Sequence, residues 1–311
     1  MSITRRLPQT IFGRQLALNQ GLGKQNSLPP GTVILNPATV TRLSAETPLY
    51  NAGLLAVGNA QAALSNHTPV KDAAIDSCRL YTGHFITVFN LGVRRGKYTA
   101  GQRAHFLLDV TSEAQPPMDS DGDTLTWAHR LLAGDPPRVL AGGAAMANPD
   151  ISEVQTQTTA ADTAFTTQSN LSDDLDARQE EVDDLNEDVD SLIKRVWDEV
   201  EAFYGEEEPE SKRANARHWG VVYVTEGPPA VLSGLVKDGT GAPRAGATVT
   251  IPSTGATTTT NSEGRYTLNT TTLGTITLKA TYGALAAATA TVEIPEHTTG
   301  IDIEVPDMVI P

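Results

Sequence analysis

Three aspartates at alternate positions are the residues of this sequence whose spacing most resembles a metal site. Asp119, Asp121 and Asp123 lie in the segment DSDGDT, with the spacing of the first three ligands of an EF-hand calcium loop. Such a loop needs glycine at its sixth position and glutamate at its twelfth, where this chain has Thr124 and Arg130. We therefore keep the three aspartates only as a calcium candidate, and favour a polar turn in which Asp123 caps the next helix.

The remaining reactive residue types form no catalytic pattern. The six histidines are scattered without metal-ligand spacing, and no GxSxG nucleophile motif occurs. The glycine-rich stretch AGGAAMANP follows no predicted strand and lacks the Lys-Ser/Thr ending of a phosphate loop. Cys78 lies on an apolar helix face, which predicts a buried thiol. We therefore predict a protein that is not an enzyme and needs no cofactor.

The net charge of −14 comes from one segment. Residues 171–210 contain 17 acidic and three basic side chains, which leaves 20 of each sign elsewhere. A chain without a basic surface is poorly suited to nucleic acid, so we predict no nucleic-acid partner. The first 31 residues have no uninterrupted apolar run after Arg5 and Arg6, so we also predict no Sec signal peptide and no membrane span.

Helical spacing of apolar residues dominates before residue 226. Asn36 followed by Pro37 is typical of a helix N-terminus. Pro48 predicts a break or kink in that helix, because proline has no N–H group and crowds the preceding turn. Thr68 followed by Pro69 predicts the start of a further helix. These signals indicate a bundle of several helices.

A long acidic helix is predicted from about Ile151 to Tyr204, with a break near Ser169 left open. Its apolar residues recur at three and four positions, which indicates a core-facing seam rather than a disordered acidic tail or a metal site. The seam residues are Leu175, Val182, Leu185, Val189, Leu192, Val196 and Phe203. Because its acidic side chains repel one another at i,i+4, packing or a basic partner must compensate. The basic segment Ser211–Pro229 is a candidate partner.

Short runs rich in Thr, Val and Ile follow residue 230, separated by turn signals. Seven such runs in about 80 residues predict an antiparallel β-sandwich. Within them, SGLVKDGTGAPRAGATVTIPSTGATTTTNSEGRYTL resembles the carboxypeptidase regulatory-like domain, a transthyretin-like β-sandwich. The positions that carry the resemblance are Gly234, Val236, Asp238, Gly241, Pro243, Gly246, Ala247, Val249, Ile251, Thr258, Thr260, Gly264 and Tyr266.

This resemblance implies a non-catalytic module that serves as a spacer, an adhesive unit or a folding aid, and it transfers no active-site residue. Related surface sandwiches can form Lys–Asn/Asp isopeptide bonds, for which Lys237 is the candidate; the alternative is an exposed lysine on a strand. The module favours an extracellular or cell-surface location, while the missing Sec signal leaves a cytoplasmic location or non-classical export open. The helical part resembles only uncharacterised bacterial proteins that pair a helical bundle with this module.

The predicted fold class is therefore multi-domain α plus β. A helical bundle domain is expected over residues 1–225, with its long acidic helix at about 151–204. Residues 226–230 are expected to form a linker, and residues 231–311 a seven-stranded antiparallel β-sandwich of the carboxypeptidase regulatory-like type.

The function we expect is that of a non-enzymatic structural protein that self-assembles as a homo-oligomer or polymer and contacts protein partners. It would be a repeating subunit of a filament, an appendage or a phage-like particle, with the β-sandwich projecting. The alternative is a monomeric surface or secreted binding protein that recognises carbohydrate or protein through the sandwich. The apolar end Ile303–Pro311 is expected either to pair with a neighbour's sheet edge or to fold onto its own sandwich.

Overall fold

The computed structural model describes residues 2–296 and 300–311 of the chain. It is mixed α and β, with a helical N-terminal region followed by β-sheets, as predicted. The helices are α1 Ile11–Asn26, α2 Pro37–Arg94, α3 Asp121–Leu140, α4 Ile151–Phe203 and α5 Pro209–Arg217, with a 3₁₀ helix at Ala100–Phe106. The strands are β1 Ile3–Arg5, β2 Tyr223–Thr225, β3 Ala230–Asp238, β4 Thr248–Ile251, β5 Ala256–Thr259, β6 Arg265–Thr270, β7 Gly274–Thr281, β8 Ala288–Ile294, β9 Asp302–Glu304 and β10 Met308–Ile310.

The chain forms two compact units. Unit 1 comprises Met1–Leu54 and Val182–Pro311, and unit 2 comprises Leu55–Glu181. The division of the chain at residues 226–230 that the sequence suggests stays a prediction. Among the described residues, no helix is both long and apolar enough to cross a membrane.

Helix α2 begins where the sequence predicts, since the Asn36 side chain accepts a hydrogen bond from the backbone of Ala38 at 3.0 Å. The predicted break at Pro48 and the predicted helix start at Thr68–Pro69 are wrong, because α2 continues through both prolines for 58 residues. Thr68 does not cap a new helix either: its hydroxyl donates back to the carbonyl of Leu64 at 3.0 Å. An interior proline costs about 3 kcal/mol, so packing of the buried side chains on either side must offset it.

Helix α4 corresponds to the predicted acidic helix and has no break near Ser169. Asp150 caps it by accepting the backbone N–H of Glu153 at 2.9 Å, while the Glu153 side chain accepts the backbone N–H of Asp150. Most of the predicted seam is buried, whereas Leu185 is half-buried and Phe203 is 51% exposed. The seam therefore packs over most of its length and ends before Phe203.

A fully buried arginine lies in the aromatic core of unit 2. The Arg138 guanidinium lies 5.3–5.9 Å from the ring centres of Phe89, Tyr98 and Phe106. It donates to the Asp135 carboxylate at 2.7 and 2.9 Å, and to the carbonyl of Ala144 at 2.9 Å. The charge is thus paired and stacked, as burial of an ion requires, and it fixes the glycine-rich turn after α3.

The sandwich consists of two four-stranded sheets rather than seven antiparallel strands. One sheet has the order β5-β4-β7-β8 and is antiparallel. In the other, β3 pairs antiparallel with β6 on one side, and parallel with both β9 and β10 on the other. Pro306 cannot donate to the ladder, which is the physical reason why the last strand is divided in two. The C-terminal end therefore folds onto its own sandwich.

Three glycines of the resemblance motif have the positive φ that tight turns require, 88° at Gly241, 76° at Gly246 and 71° at Gly264. A Cβ atom at Gly264 would also lie 2.6 Å from the carbonyl oxygen of Val236. Glycine is therefore needed there both for backbone conformation and for space. Tyr266 is 3% exposed, so this residue of the motif belongs to the buried core of the sandwich.

Two helical glycines of unit 2 provide a matched test of its packing. A Cβ at Gly134 of α3 would lie 2.2 Å from the carbonyl oxygen of His105, whereas one at Gly58 of α2 would meet no atom within 4 Å. We expect Gly134→Ala to lower the free energy of unfolding by about 1–3 kcal/mol through overpacking. Gly58→Ala should raise it by about 0.5–1 kcal/mol, because alanine favours helix. Urea denaturation measures both, and equal effects of the two changes would contradict this packing.

Candidate functional site

The aspartates of the calcium candidate take part in a helix start and in ion pairs. The Asp121 carboxylate lies 2.7 Å from Lys71 Nζ and 3.9 Å from Arg79 Nη2. Ser120 is the N-cap of α3: its hydroxyl oxygen accepts the backbone N–H of Asp123 at 3.0 Å and donates to the Asp123 carboxylate at 2.7 Å. The prediction that Asp123 is the cap is therefore wrong, because Ser120 already occupies that position. In residues 2–296 and 300–311, no group of three or more His, Cys, Asp or Glu side chains is placed to hold a metal ion.

Arginines from the start of the chain bind the acidic side chains in the last part of α4. Arg14 forms a bidentate pair with Asp190, at 2.7 and 2.8 Å. Arg5 donates to Asp198 at 2.6 Å and to Glu201 at 2.9 Å. In the last part of α4, which belongs to unit 1, arginines of the same chain thus act as the basic partner of the acidic side chains.

The start of α2 also binds this part of α4. The Glu199 carboxylate accepts the backbone N–H of Asn36 and the hydroxyl of Thr39, each at 2.7 Å. Burial alone would raise the pKa of Glu199, but these bonds and the nearby Arg195 outweigh it and lower the pKa. Glu199 therefore stays ionised and fixes the beginning of α2 to α4.

The arginines of the basic segment after α4 bind a carboxylate of the sandwich and not the acidic helix. Arg213 donates to Glu296 at 2.8 and 3.0 Å, and Arg217 donates to the other oxygen of the same carboxylate. The prediction that the basic side chains of this segment pair with α4 is wrong for these two arginines, because both are already used by Glu296. Burial alone would raise the pKa of Glu296, which is 8% exposed, but the two arginines outweigh it and lower the pKa.

Tyr223 connects the ion pair of Arg5 and Glu201 with the ion pair of Arg217 and Glu296. Its hydroxyl donates to Glu201 at 2.5 Å, and the Arg217 guanidinium lies 5.6 Å from its ring centre. Burial, together with the hydrogen bond to Glu201, raises the pKa of Tyr223. We refer to Arg5, Glu201, Tyr223, Arg217 and Glu296 as the charged joint. It connects strands β1 and β2, helix α4 and the sandwich within unit 1.

The middle of α4 has acidic side chains that remain without partners. Asp173, Asp176 and Glu180 of unit 2 are exposed and form no ion pair or hydrogen bond to any described residue. The same holds for Asp184 and Glu187 in the part of α4 that belongs to unit 1. These charges are hydrated and repel other negative surfaces.

A cleft of about 460 Å³ lies in unit 1 between α1, the α5–β2 connection and the sandwich. Its basic lining residues are Arg6, Arg217 and His218, and its apolar ones include Leu7, Leu16 and Leu273. A second, more open groove of about 940 Å³ lies in unit 2 between α2 and residues 115–119. The sequence signalled neither site, because the lining residues come from distant segments.

Predictions from sequence were also made for Cys78 and Lys237, and the structure shows which groups surround each of them. Cys78 is fully buried, with its sulfur 3.8 Å from the Thr158 hydroxyl, and burial raises the pKa of the thiol. The predicted buried thiol is thus confirmed. Lys237 lies 2.5 Å from the Asp307 carboxylate, and the two side chains are 31% and 47% exposed. Such exposure favours a hydrated ion pair over the buried neutral groups that amide formation requires.

Mass spectrometry of the intact chain tests the Lys237–Asp307 contact. We expect the full mass of the sequence, because the two exposed side chains form a hydrated ion pair rather than an amide. Lys237→Gln should lower the free energy of unfolding by less than about 1 kcal/mol, as is typical of exposed pairs. A mass lower by one water molecule that is restored in the Lys237→Gln variant would contradict the ion pair.

Glu296 gives the charged joint a defined dependence on pH. Because its pKa is lowered in the folded protein, its contribution is present above the ordinary pKa of 4.5 and is lost as the pH falls through the folded value. We expect Glu296→Gln to destabilise unit 1 by about 2–3 kcal/mol at pH 7, with a difference from the wild type that shrinks below pH 4.5.

Denaturant unfolding at a series of pH values measures this effect. The matched control is Glu263→Gln, since Glu263 is 73% exposed and its contact with Arg265 is 3.7 Å long. An equal effect of both substitutions, or no dependence of the Glu296 effect on pH, would contradict the assignment.

Comparison with known proteins supports the prediction that the C-terminal part resembles a known β-sandwich domain. Residues 231–306 match the model of the carboxypeptidase regulatory-like domain, about a quarter of the chain, from β3 to just after β9. No curated protein matches the sequence. Domains of this family are regulatory and non-catalytic. The C-terminal part of the chain is therefore similar to carboxypeptidase regulatory-like domains, as the sequence motif predicted.

Proposed function

We propose that the chain is a non-enzymatic structural protein that self-assembles, as a repeating subunit of a filament, an appendage or a phage-like particle. In this proposal the helices form the contacts between copies and the β-sandwich projects as a non-catalytic module. The observation that carries the proposal is an uncharged, exposed face of α2 in unit 2. We call it the α2 face.

Four large apolar residues define the α2 face. Leu55, Val70, Leu80 and Leu91 are 66%, 55%, 67% and 40% exposed. On an ideal helix of 3.6 residues per turn, their positions fall within an arc of about 80° and span about 54 Å. Apolar side chains that share one face of a helix are better suited to a protein–protein contact than apolar residues scattered over the surface.

Within the same arc the other exposed residues are Asn59, Ala62, Asn66, Ala73 and His84, none of which is Lys, Arg, Asp or Glu. The four charged residues between Leu55 and Leu91 fall outside the arc, as their positions in the sequence dictate; they are Lys71, Asp72, Asp76 and Arg79. Near Leu80 the face borders the open groove of unit 2, where Pro116, Pro117 and Met118 extend the apolar surface.

The distribution of charge favours a second copy of this chain as the partner. Two copies repel each other wherever the unpaired acidic residues of α4 come within a Debye length, about 8 Å at physiological salt. The α2 face lacks that repulsion and gains about 25 cal/mol for each Å² of apolar area that is buried. Contacts between copies are therefore favoured through the α2 face and disfavoured through the acidic part of α4.

The buried polar groups support a structural role. Arg138 binds Asp135, Arg103 binds Asn90 at 3.0 Å, and Glu296 binds two arginines. Each of these groups is used to hold elements together. For this reason we propose no catalytic role for the helical part.

The alternative, a monomeric protein that binds carbohydrate or protein through the sandwich, has less support. Exposed aromatic rings on the loops would favour it. Tyr266 is buried, and Tyr282 is 37% exposed with the Arg244 guanidinium 5.3 Å from its ring centre. We therefore place this function second.

Substitutions on the α2 face test the proposal. We expect Leu80→Glu to convert assemblies of the wild type into monomers, because each contact would bury a carboxylate in an apolar surface. Sedimentation velocity at matched concentrations measures this change. The control is Leu140→Glu at the end of α3, where leucine is 90% exposed and outside the α2 face.

The Leu140→Glu protein should assemble like the wild type. Circular dichroism establishes that both variants keep their helices. Loss of assembly in both variants, or in neither, would contradict the α2 face as the contact.

A further inference from the structure

We propose that the cleft of unit 1 binds a small organic anion with an apolar body, of which a medium-chain monocarboxylate is the simplest example. This proposal is independent of assembly, since it concerns a cavity in unit 1 and not the α2 face. The volume of about 460 Å³ lies within the range of small-molecule sites, about 300–1,000 Å³.

Close backbone contacts form the walls of the cleft. Gly13, Leu16, Ala17 and Gln20 lie on one face of α1, at the spacing of successive helical turns. A Cβ at Gly13 would lie 2.8 Å from the carbonyl oxygen of Ser253, so α1 contacts the sandwich without an intervening side chain. The sandwich therefore forms a wall of the cleft beside α1, and this backbone contact fixes the distance between them.

A second contact fixes the connection between α5 and β2. Gly220 has a φ of 85°, and a Cβ there would lie 3.0 Å from Cα of Ala17. The backbone next to His218 and Val221 is thus pressed against α1, on the other side of the cleft. A ligand would enter a preformed site, which reduces the entropic cost of binding.

Two basic side chains in the lining are without partners. Arg6 and His218 are exposed, and neither forms an ion pair or a side-chain hydrogen bond to any described residue. Arg217 is bound to Glu296 but keeps 22% of its side chain exposed. Among the described residues of the lining the one carboxylate is Glu293, which accepts the hydroxyl of Thr275 and keeps its negative charge. The described lining thus offers two unpaired basic side chains against a single carboxylate.

The apolar residues of the lining determine which uncharged part the ligand must have. Leu7, Pro8, Leu16, Val221 and Leu273 give the cleft an apolar part. An inorganic anion would leave this surface hydrated, whereas an alkyl chain would bury it at about 25 cal/mol per Å². A monocarboxylate with an alkyl chain matches both parts, with its carboxylate at Arg6 and His218.

Isothermal titration calorimetry with octanoate tests the proposal on the full chain. Octan-1-ol has the same chain without the charge, and inorganic phosphate has charge without the chain. We expect octanoate to bind at least tenfold more tightly than either probe, because only it satisfies both parts of the cleft. Absence of octanoate binding, or equal affinity for octanoate and octan-1-ol, would overturn the proposal.

Two variants assign the binding to this cleft. Arg6→Gln should weaken octanoate binding about tenfold without unfolding the chain, because the Arg6 side chain is exposed and holds no partner. Gln20→Trp should block the cleft by filling it from the exposed side of α1. The control is Arg265→Gln, since Arg265 is 67% exposed and lies outside the cleft. Unchanged affinity in both cleft variants, or an equal loss in the control, would overturn the assignment.

Discussion

The last part of α4 is the element on which unit 1 depends. Its apolar side buries Val196, Trp197 and Val200, while its acidic side is bound by residues that are distant in sequence. Arg5 and Arg14 connect it to the N-terminal segment and α1, and Glu199 connects it to the start of α2. Without α4, these N-terminal elements would lose both the apolar surface and the carboxylates that hold them in place.

The carboxylates of α4 therefore serve two purposes. Those near its C-terminal end are bound within the chain, and the pKa of Asp198 is lowered because bonds from Lys194 and Arg5 outweigh the effect of burial. Those in the middle, such as Asp176 and Glu180, stay hydrated and unpaired among the described residues. A negative surface of this kind limits how copies of the chain can approach each other, which gives the uncharged α2 face its importance in the proposed function.

Local signals predicted the elements whose causes are local. The repeat of apolar residues gave the extent of α4, and Asn36 with Pro37 gave the start of α2. Pro48 suggested a break because the packing that offsets its cost is not visible in the sequence. The pairing of β9 and β10 with β3, and of Arg213 with Glu296, depends on residues about 70 to 80 positions apart. For the same reason Arg6 showed no sign of lining a cleft, whereas the sandwich motif was recognisable from its own short turns.

Light scattering of the unmodified chain over a wide concentration range, combined with negative-stain imaging, is the most direct test of self-assembly. We expect molar masses that rise with concentration to multiples of the 33.0 kDa chain, and images of ordered polymers or rings. A chain that remains a monomer at the highest concentration, with only single particles in the images, would contradict it.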